Sequence, residues 1–206
     1  MIAIILTAIA TFIVTGIDEI VVLTILFVHY KENSSVRDIY IGQLISMVVL
    51  LAISLLAVFG ITTIPKEWIG LLGFVPFFLG IKVFLIGDTE SYDVYEEKDL
   101  IKKTKKFNNL ILAVAIIAIA GGAEELSIYI PYLASLNTKD LITTLITFIL
   151  LVPIWCAVCK RLSSVKRIRE RIEKFERIIV PIVFIGLGIF VLIENNTLGY
   201  FLKFFH

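Results

Sequence analysis

Apolar residues run almost unbroken over stretches of about 20 positions in this chain, a length that lets a helix cross a hydrocarbon core of roughly 30 Å. Short intervals rich in charge separate the stretches. The pattern predicts six spans, at residues 2–28, 39–61, 68–86, 108–136, 141–159 and 178–193. Helices are the expected form, because barrel strands would interleave polar side chains at every second position and these runs do not. Pro76, Pro131, Pro153 and Pro181 fall inside spans and mark expected kinks, tolerated where neighbouring helices satisfy the freed backbone groups.

Composition strengthens the membrane reading. Hydrophobic residues make up 59% of the chain and the mean hydropathy is +0.98, above the roughly 45–50% apolar content of soluble domains. Net charge is only +1, but its distribution is uneven: 15 of the 19 basic residues lie in the intervals 31–37, 87–107 and 160–177. Six spans place those intervals on one side, leaving Lys66, Lys139, Lys203 and both termini on the other, with Lys82 in the third span. Basic loops stay in the cytoplasm, so both termini are expected outside. Residues 88–106 carry six acids before Lys102, Lys103, Lys105 and Lys106, and read as a solvated, partly disordered linker. In 163–177, Ile168, Ile172 and Phe175 recur at helical spacing, either extending the sixth helix or lying on headgroups. The first span lacks a basic start and contains acids, so it is expected to remain in the mature protein.

Two adjacent carboxylate pairs interrupt the longest apolar runs: Asp18-Glu19 in the first and Glu124-Glu125 in the fourth. Four unpaired charges at such depth would cost roughly 10–14 kcal/mol on insertion scales. Lys82 alone cannot neutralise them, so protons or bound cations must. A divalent cation exchanged for protons satisfies both the loaded and the empty site, since carboxylates in low dielectric reprotonate readily.

The pairs are related by an internal repeat. Shifting the chain by 106 residues lays Gly16-Ile17-Asp18-Glu19-Ile20 over Gly122-Ala123-Glu124-Glu125-Leu126. Each opens a three-span half, and two halves of odd span number must run in opposite directions, the inverted-repeat plan of many secondary transporters. Thr15-Gly16 and Gly121-Gly122 are expected to weaken the helix ahead of the acids, since glycine is costly in a helical interior. Neighbouring residues on an intact helix point about 100° apart, so both acids of a pair can face one ion only if the helix breaks. Asp18 and Glu124, equivalent under the repeat, are assigned as primary metal ligands, with Glu19 and Glu125 as second ligands or proton carriers.

The segment from Thr15 to Thr24 and that from Gly122 through Tyr129 to Pro131 resemble the two signature segments of the cadmium resistance transporter family, within the lysine exporter superfamily. The stretch from Gly73 to Lys82 is similar to that family's third helix. The resemblance implies a six-helix exporter of cadmium or a related divalent metal, and places Tyr129 and Pro131 on the pathway with Thr15, Gly16, Gly121 and Gly122. Asp18-Glu19 stands where the family typically has Asp-Asp, and Glu124-Glu125 where it has Asp-Asn, which lengthens the acids and adds charge. All-oxygen sites suit hard ions, whereas cadmium and zinc favour sulfur or nitrogen.

Sulfur is available at Cys156 and Cys159, three apart on one helical face. They read as ordinary small core residues, or as a soft-metal loading point. Other classes compete: export of another small cation or an amino acid on the same fold, and a membrane thiol–disulfide carrier using this Cys-x-x-Cys pair. The carrier reading leaves four buried acids unexplained. A phosphate-binding Gly-x-x-x-x-Gly-Lys segment is absent, so an ion gradient rather than nucleotide hydrolysis is expected to drive transport. The expectation is therefore a multi-pass cell-membrane protein that is not an enzyme and needs no cofactor. It comprises a first repeat at 1–87, a charged loop at 88–106 and a second repeat at 107–206. Its partners are a divalent metal substrate, protons and the bilayer, not nucleic acid, with homo-oligomerisation left open.

Overall fold

The computed structural model describes residues 2–61, 66–86, 101–102, 104–164, 168–195 and 197. The side chains of 18, 61, 66–67, 83, 86, 123–124 and 168–179 lie outside that description. Regular structure among the described residues is helical throughout. The elements are α1 (Ile2–Thr15), α2 (Ile17–His29), α3 (Asn33–Ile61), α4 (Lys66–Ile69) leading through a 3-10 turn (Gly70–Gly73) into α5 (Phe74–Ile86), α6 (Leu110–Gly121), α7 (Ala123–Ser135), α8 (Thr138–Leu162) and α9 (Ile168–Glu194).

Local chemistry marks the helix starts of the second half. Asn109 accepts from the Ile111 N–H at 2.9 Å ahead of α6, and Asn137 accepts from the Lys139 and Asp140 N–H groups at 3.1 Å ahead of α8. These side chains satisfy donors that an open helix end leaves bare. Asp140 in the first turn of α8 and Lys160 and Arg161 in its last complement the helix dipole.

The expected first and fourth spans are each two helices. α1 and α2 meet at a bend of 66°, and α6 and α7 at one of 74°. α3 and α8 are each long and apolar enough to cross a membrane, and counting each bent pair as one span makes four. The remaining apolar helical stretches, Gly70–Lys82 and Val180–Glu194, are shorter. α9 begins at Ile168, so 168–177 continue the last helix as an extension. The interruptions fall at glycines rather than prolines: Pro131, Pro153 and Pro181 all sit inside helices that continue past them. In apolar surroundings the chain keeps its remaining backbone hydrogen bonds around a proline rather than exposing more of them.

α8 shows how the helices divide their faces. Ile142, Ile146, Leu150 and Ile154 are exposed at every fourth position, while Thr144, Phe148, Val152, Trp155, Cys156 and Cys159 are buried. An apolar outer face over a partly polar inner one suits lipid outside and a pathway inside.

The halves exchange partners. α1 and α2 pack on α8 of the second half, and α6 and α7 pack on α3 of the first. α3 meets α8, and α5 meets α9. The α5–α9 approach needs glycine: a Cβ on Gly188 would lie 2.6 Å from the Gly73 carbonyl oxygen, and one on Gly73 2.8 Å from that of Gly188. Shifted by 106, the end of α1 at 15 and both ends of α2 at 17 and 29 fall on 121, 123 and 135, the ends of α6 and α7.

The expectation of a solvated linker over 88–106 needs correcting at its end. Ile101 and Thr104 are buried, and Thr104 Oγ1 lies 3.0 Å from the Tyr30 hydroxyl just beyond α2, so this end of the linker joins the core. Residues 87–100 lie outside the described set.

Candidate metal pathway at two helix breaks

Both carboxylate pairs sit at the start of a half-helix. Gly16 precedes α2 with φ −86° and ψ 0°, and Gly122 precedes α7 with φ −73° and ψ 3°. Asp18 and Glu19 thus occupy the second and third positions of α2, and Glu124 and Glu125 those of α7. The positive end of a helix dipole favours acids there, which offsets part of the charge's cost in apolar surroundings. Neither glycine supplies a side-chain cap for the half-helix it precedes.

The reason for glycine is steric rather than conformational. Both backbones occupy a region open to other residues, so the fit of glycine at these positions is a matter of space as well as of helix propensity. A Cβ on Gly16 would meet Trp155 Nε1 at 3.1 Å and the Phe12 carbonyl oxygen at 3.1 Å. One on Gly122 would meet Leu50 Cδ2 at 2.6 Å. Each break presses against the long helix of the opposite half. Gly121, by contrast, is exposed, with open space where a Cβ would stand.

The described acids have different partners. Glu19, half-buried, accepts a 2.5 Å hydrogen bond from Gln43 Nε2 on α3, itself only 2% exposed. Glu125 is 5% exposed and stands one turn before Tyr129, whose hydroxyl has that carboxyl within hydrogen-bonding reach. The Tyr129 hydroxyl also lies 2.9 Å from Thr15 Oγ1 at the end of α1, joining the second broken helix to the first. Pro131 is buried two residues on. The side chains of Asp18 and Glu124, the assigned primary ligands, lie outside the described residues.

Cys156 and Cys159 are fully buried free thiols on the inner face of α8, in the same core cluster as Trp155. Among the described residues no three His, Cys, Asp or Glu side chains form a group that could hold a metal, so the thiols do not complete a ligand set with Glu19 or Glu125 in this conformation.

Gln43 and Trp155 escaped the sequence reading. Gln43 had a signal: an amide in the apolar run 39–61 is as conspicuous in a membrane as a weak charge. Trp155 had none, since an indole in a span reads as packing. Its buried Nε1–H has no hydrogen-bond partner among the described residues, and the same holds for the Thr11 and Thr24 hydroxyls on either side of the first break.

A family model described as cadmium resistance transporter matches residues 12–204. No curated protein and no solved structure matches the chain.

Proposed function

The chain belongs to the cadmium resistance transporter family, and from that premise we propose that it exports cadmium or a related divalent cation across the cell membrane in exchange for protons, through carboxylates held at its two helix breaks. The observation that carries this reading is the recurrence of one arrangement: a half-helix opening on a glycine, with paired acids at its second and third positions, at two places 106 residues apart. Four acids so placed are costly unless they do work that a neutral residue cannot. Asp18 and Glu124 supply the primary charge, and Glu19 and Glu125 complete the site or carry protons. Thr11 and Thr24, whose hydroxyls lack the usual bond to the preceding turn, mark a polar path along α1 and α2 on either side of the site.

The same reading takes the chain as six spans in two inverted halves. α4, the 3-10 turn and α5 form the third span, matched by α9, and both termini lie outside as the basic intervals require. The exchange of packing partners between halves supports the inverted plan, since it is what a two-fold axis through the α3–α8 and α5–α9 contacts would produce.

The test is cadmium uptake into everted membrane vesicles, whose interior corresponds to the cell exterior. An acid interior should drive uptake, because protons leaving the vesicle occupy the carboxylates that the metal vacates. A protonophore, with the membrane voltage clamped, should remove most of that uptake. Flux unchanged by the protonophore counts against proton exchange while leaving cadmium transport standing.

A further inference from the structure

Buried hydroxyls that lack a partner among the described residues have a local remedy. Those of Thr11 and Thr24 can rotate onto the carbonyl four residues back, and those of Tyr132 and Thr144 stand within reach of each other. The indole Nε1–H of Trp155 has no such remedy. It can only donate, the ring fixes its direction, and the ring is 9% exposed, with Phe12 packed against it at 5.9 Å and 86°.

The nitrogen edge of that ring lies over the first break. A Cβ on Gly16 would fall 3.1 Å from Nε1 and 3.2 Å from Cε2, so the indole fills the space that a larger residue at 16 would take. Gly16 gives α2 no side-chain cap, and the N–H groups of a first turn have no acceptors within their own helix. Three positions on, and so neighbouring Gly16 on the helix surface, Glu19 accepts from Gln43 of α3. Hydrogen-bond donors from two neighbouring helices, α3 and α8, thus border the acid pair of the first break. At the second break the methyl carbons of Leu50 stand where the first has Nε1, and they have no proton to donate.

We propose that Trp155 is a positioning residue for the metal: with a divalent cation bound, its Nε1–H donates to a carboxylate oxygen of the Asp18-Glu19 pair that the cation leaves free. The proposal rests on the reading that these acids hold the cation. A carboxylate that binds a metal through one oxygen turns the other outward, and a fixed donor there sets the angle of the ligand, as outer partners of metal ligands commonly do. A hydrogen bond formed only in the loaded state adds to affinity, whereas one present in both states does not.

The indole itself is the reporter. Trp68→Phe leaves Trp155 as the one tryptophan of the chain, so purified protein made with isotope-labelled tryptophan gives a single indole N–H resonance. Saturating cadmium should move that proton downfield, the direction of a strengthened hydrogen bond. Trp155→Phe keeps an aromatic ring against Phe12 and should weaken cadmium binding about tenfold by calorimetry. If that variant fails to fold, benzothienylalanine at 155 replaces the N–H by sulfur at nearly constant shape and should give the same loss. Glu19→Met identifies the acceptor: Trp155→Phe should cost nothing further in that background if Glu19 accepts, and its full cost if Asp18 does. An indole resonance unmoved by cadmium, or an affinity within about twofold of the parent once the N–H is removed, overturns the proposal. A parent protein that binds no cadmium overturns the metal reading together with it, whereas normal binding beside an unmoved resonance overturns the role of Trp155 alone.

Discussion

The two breaks share a backbone and differ in what surrounds it. At the first, Gly16 lies under an indole, and Glu19 is held by the amide of Gln43. At the second, Gly122 lies under the methyl groups of Leu50, and Glu125 faces a phenol that reaches back to Thr15. At the positions 106 residues away the residue types differ: Ile149 stands opposite Gln43, and Leu23 opposite Tyr129. The helix ends and turn geometry recur at the two breaks, while the side chains around the acids differ. At the first break an amide of α3 bonds the acid; at the second, a tyrosine one turn beyond the acid bonds to Thr15 at the end of α1.

The largest expected effect tests what the halves still share. Asp18→Asn and Glu124→Gln each remove one primary charge with little change in volume, and each should abolish cadmium uptake into everted vesicles while the protein remains in the membrane. Loss in only one of them would mean that the metal is held by a single half.

Next comes the feature present in only one half. Gln43→Leu keeps the bulk and deletes the donor to Glu19, and a hydrogen bond to a charged group contributes about 1.5–3 kcal/mol. Glu19 is half-buried, so water replaces part of that, and the expected loss is about 1.5 kcal/mol, or roughly tenfold in cadmium affinity. Calorimetry on purified protein measures it. Unchanged affinity would show that the Gln43 bond does not orient Glu19 for the ion.

Much of this was legible in the chain. The repeated Gly-x-acid-acid segments locate both breaks, and the lengths of the apolar runs bring out α3 and α8 nearly whole. What periodicity cannot report is which helix of one half lies against which of the other. That pairing decides why Gly16 and Gly122 are glycines, why an amide at 43 reaches an acid at 19, and why a hydroxyl at 15 meets one at 129. Each depends on a contact between separate helices, and a sequence displays faces without naming the partner each face meets. Near α2 the error had a different cause: charge-rich composition marked 88–106 as solvated, yet Ile101 and Thr104 are enough to anchor its end.

The smallest effect separates the two glycines. A Cβ on Gly122 falls 2.6 Å and 2.8 Å from the two methyl carbons of Leu50, itself buried, so both must move, and overpacking of this kind costs about 1–3 kcal/mol. A Cβ on Gly16 comes no closer than 3.1 Å, to the Phe12 carbonyl oxygen and to Trp155, which needs a shift of a few tenths of an ångström in both and should cost about 0.5 kcal/mol, partly offset by the lower chain entropy of alanine when unfolded. Gly122→Ala should therefore lower the thermal midpoint of the purified protein by several degrees and Gly16→Ala by about 1–2 °C, since 1 kcal/mol corresponds to roughly 2–4 °C at this chain length. Leu50→Ala is destabilising by itself, but in that background Gly122→Ala should cost almost nothing, because the methyl groups it strikes are gone. Such coupling between contacting residues is what a double-mutant cycle isolates. An additive pair would show that Leu50 is not what holds position 122 to glycine, and the break would then owe its glycine to a backbone conformation visited at another point in the transport cycle.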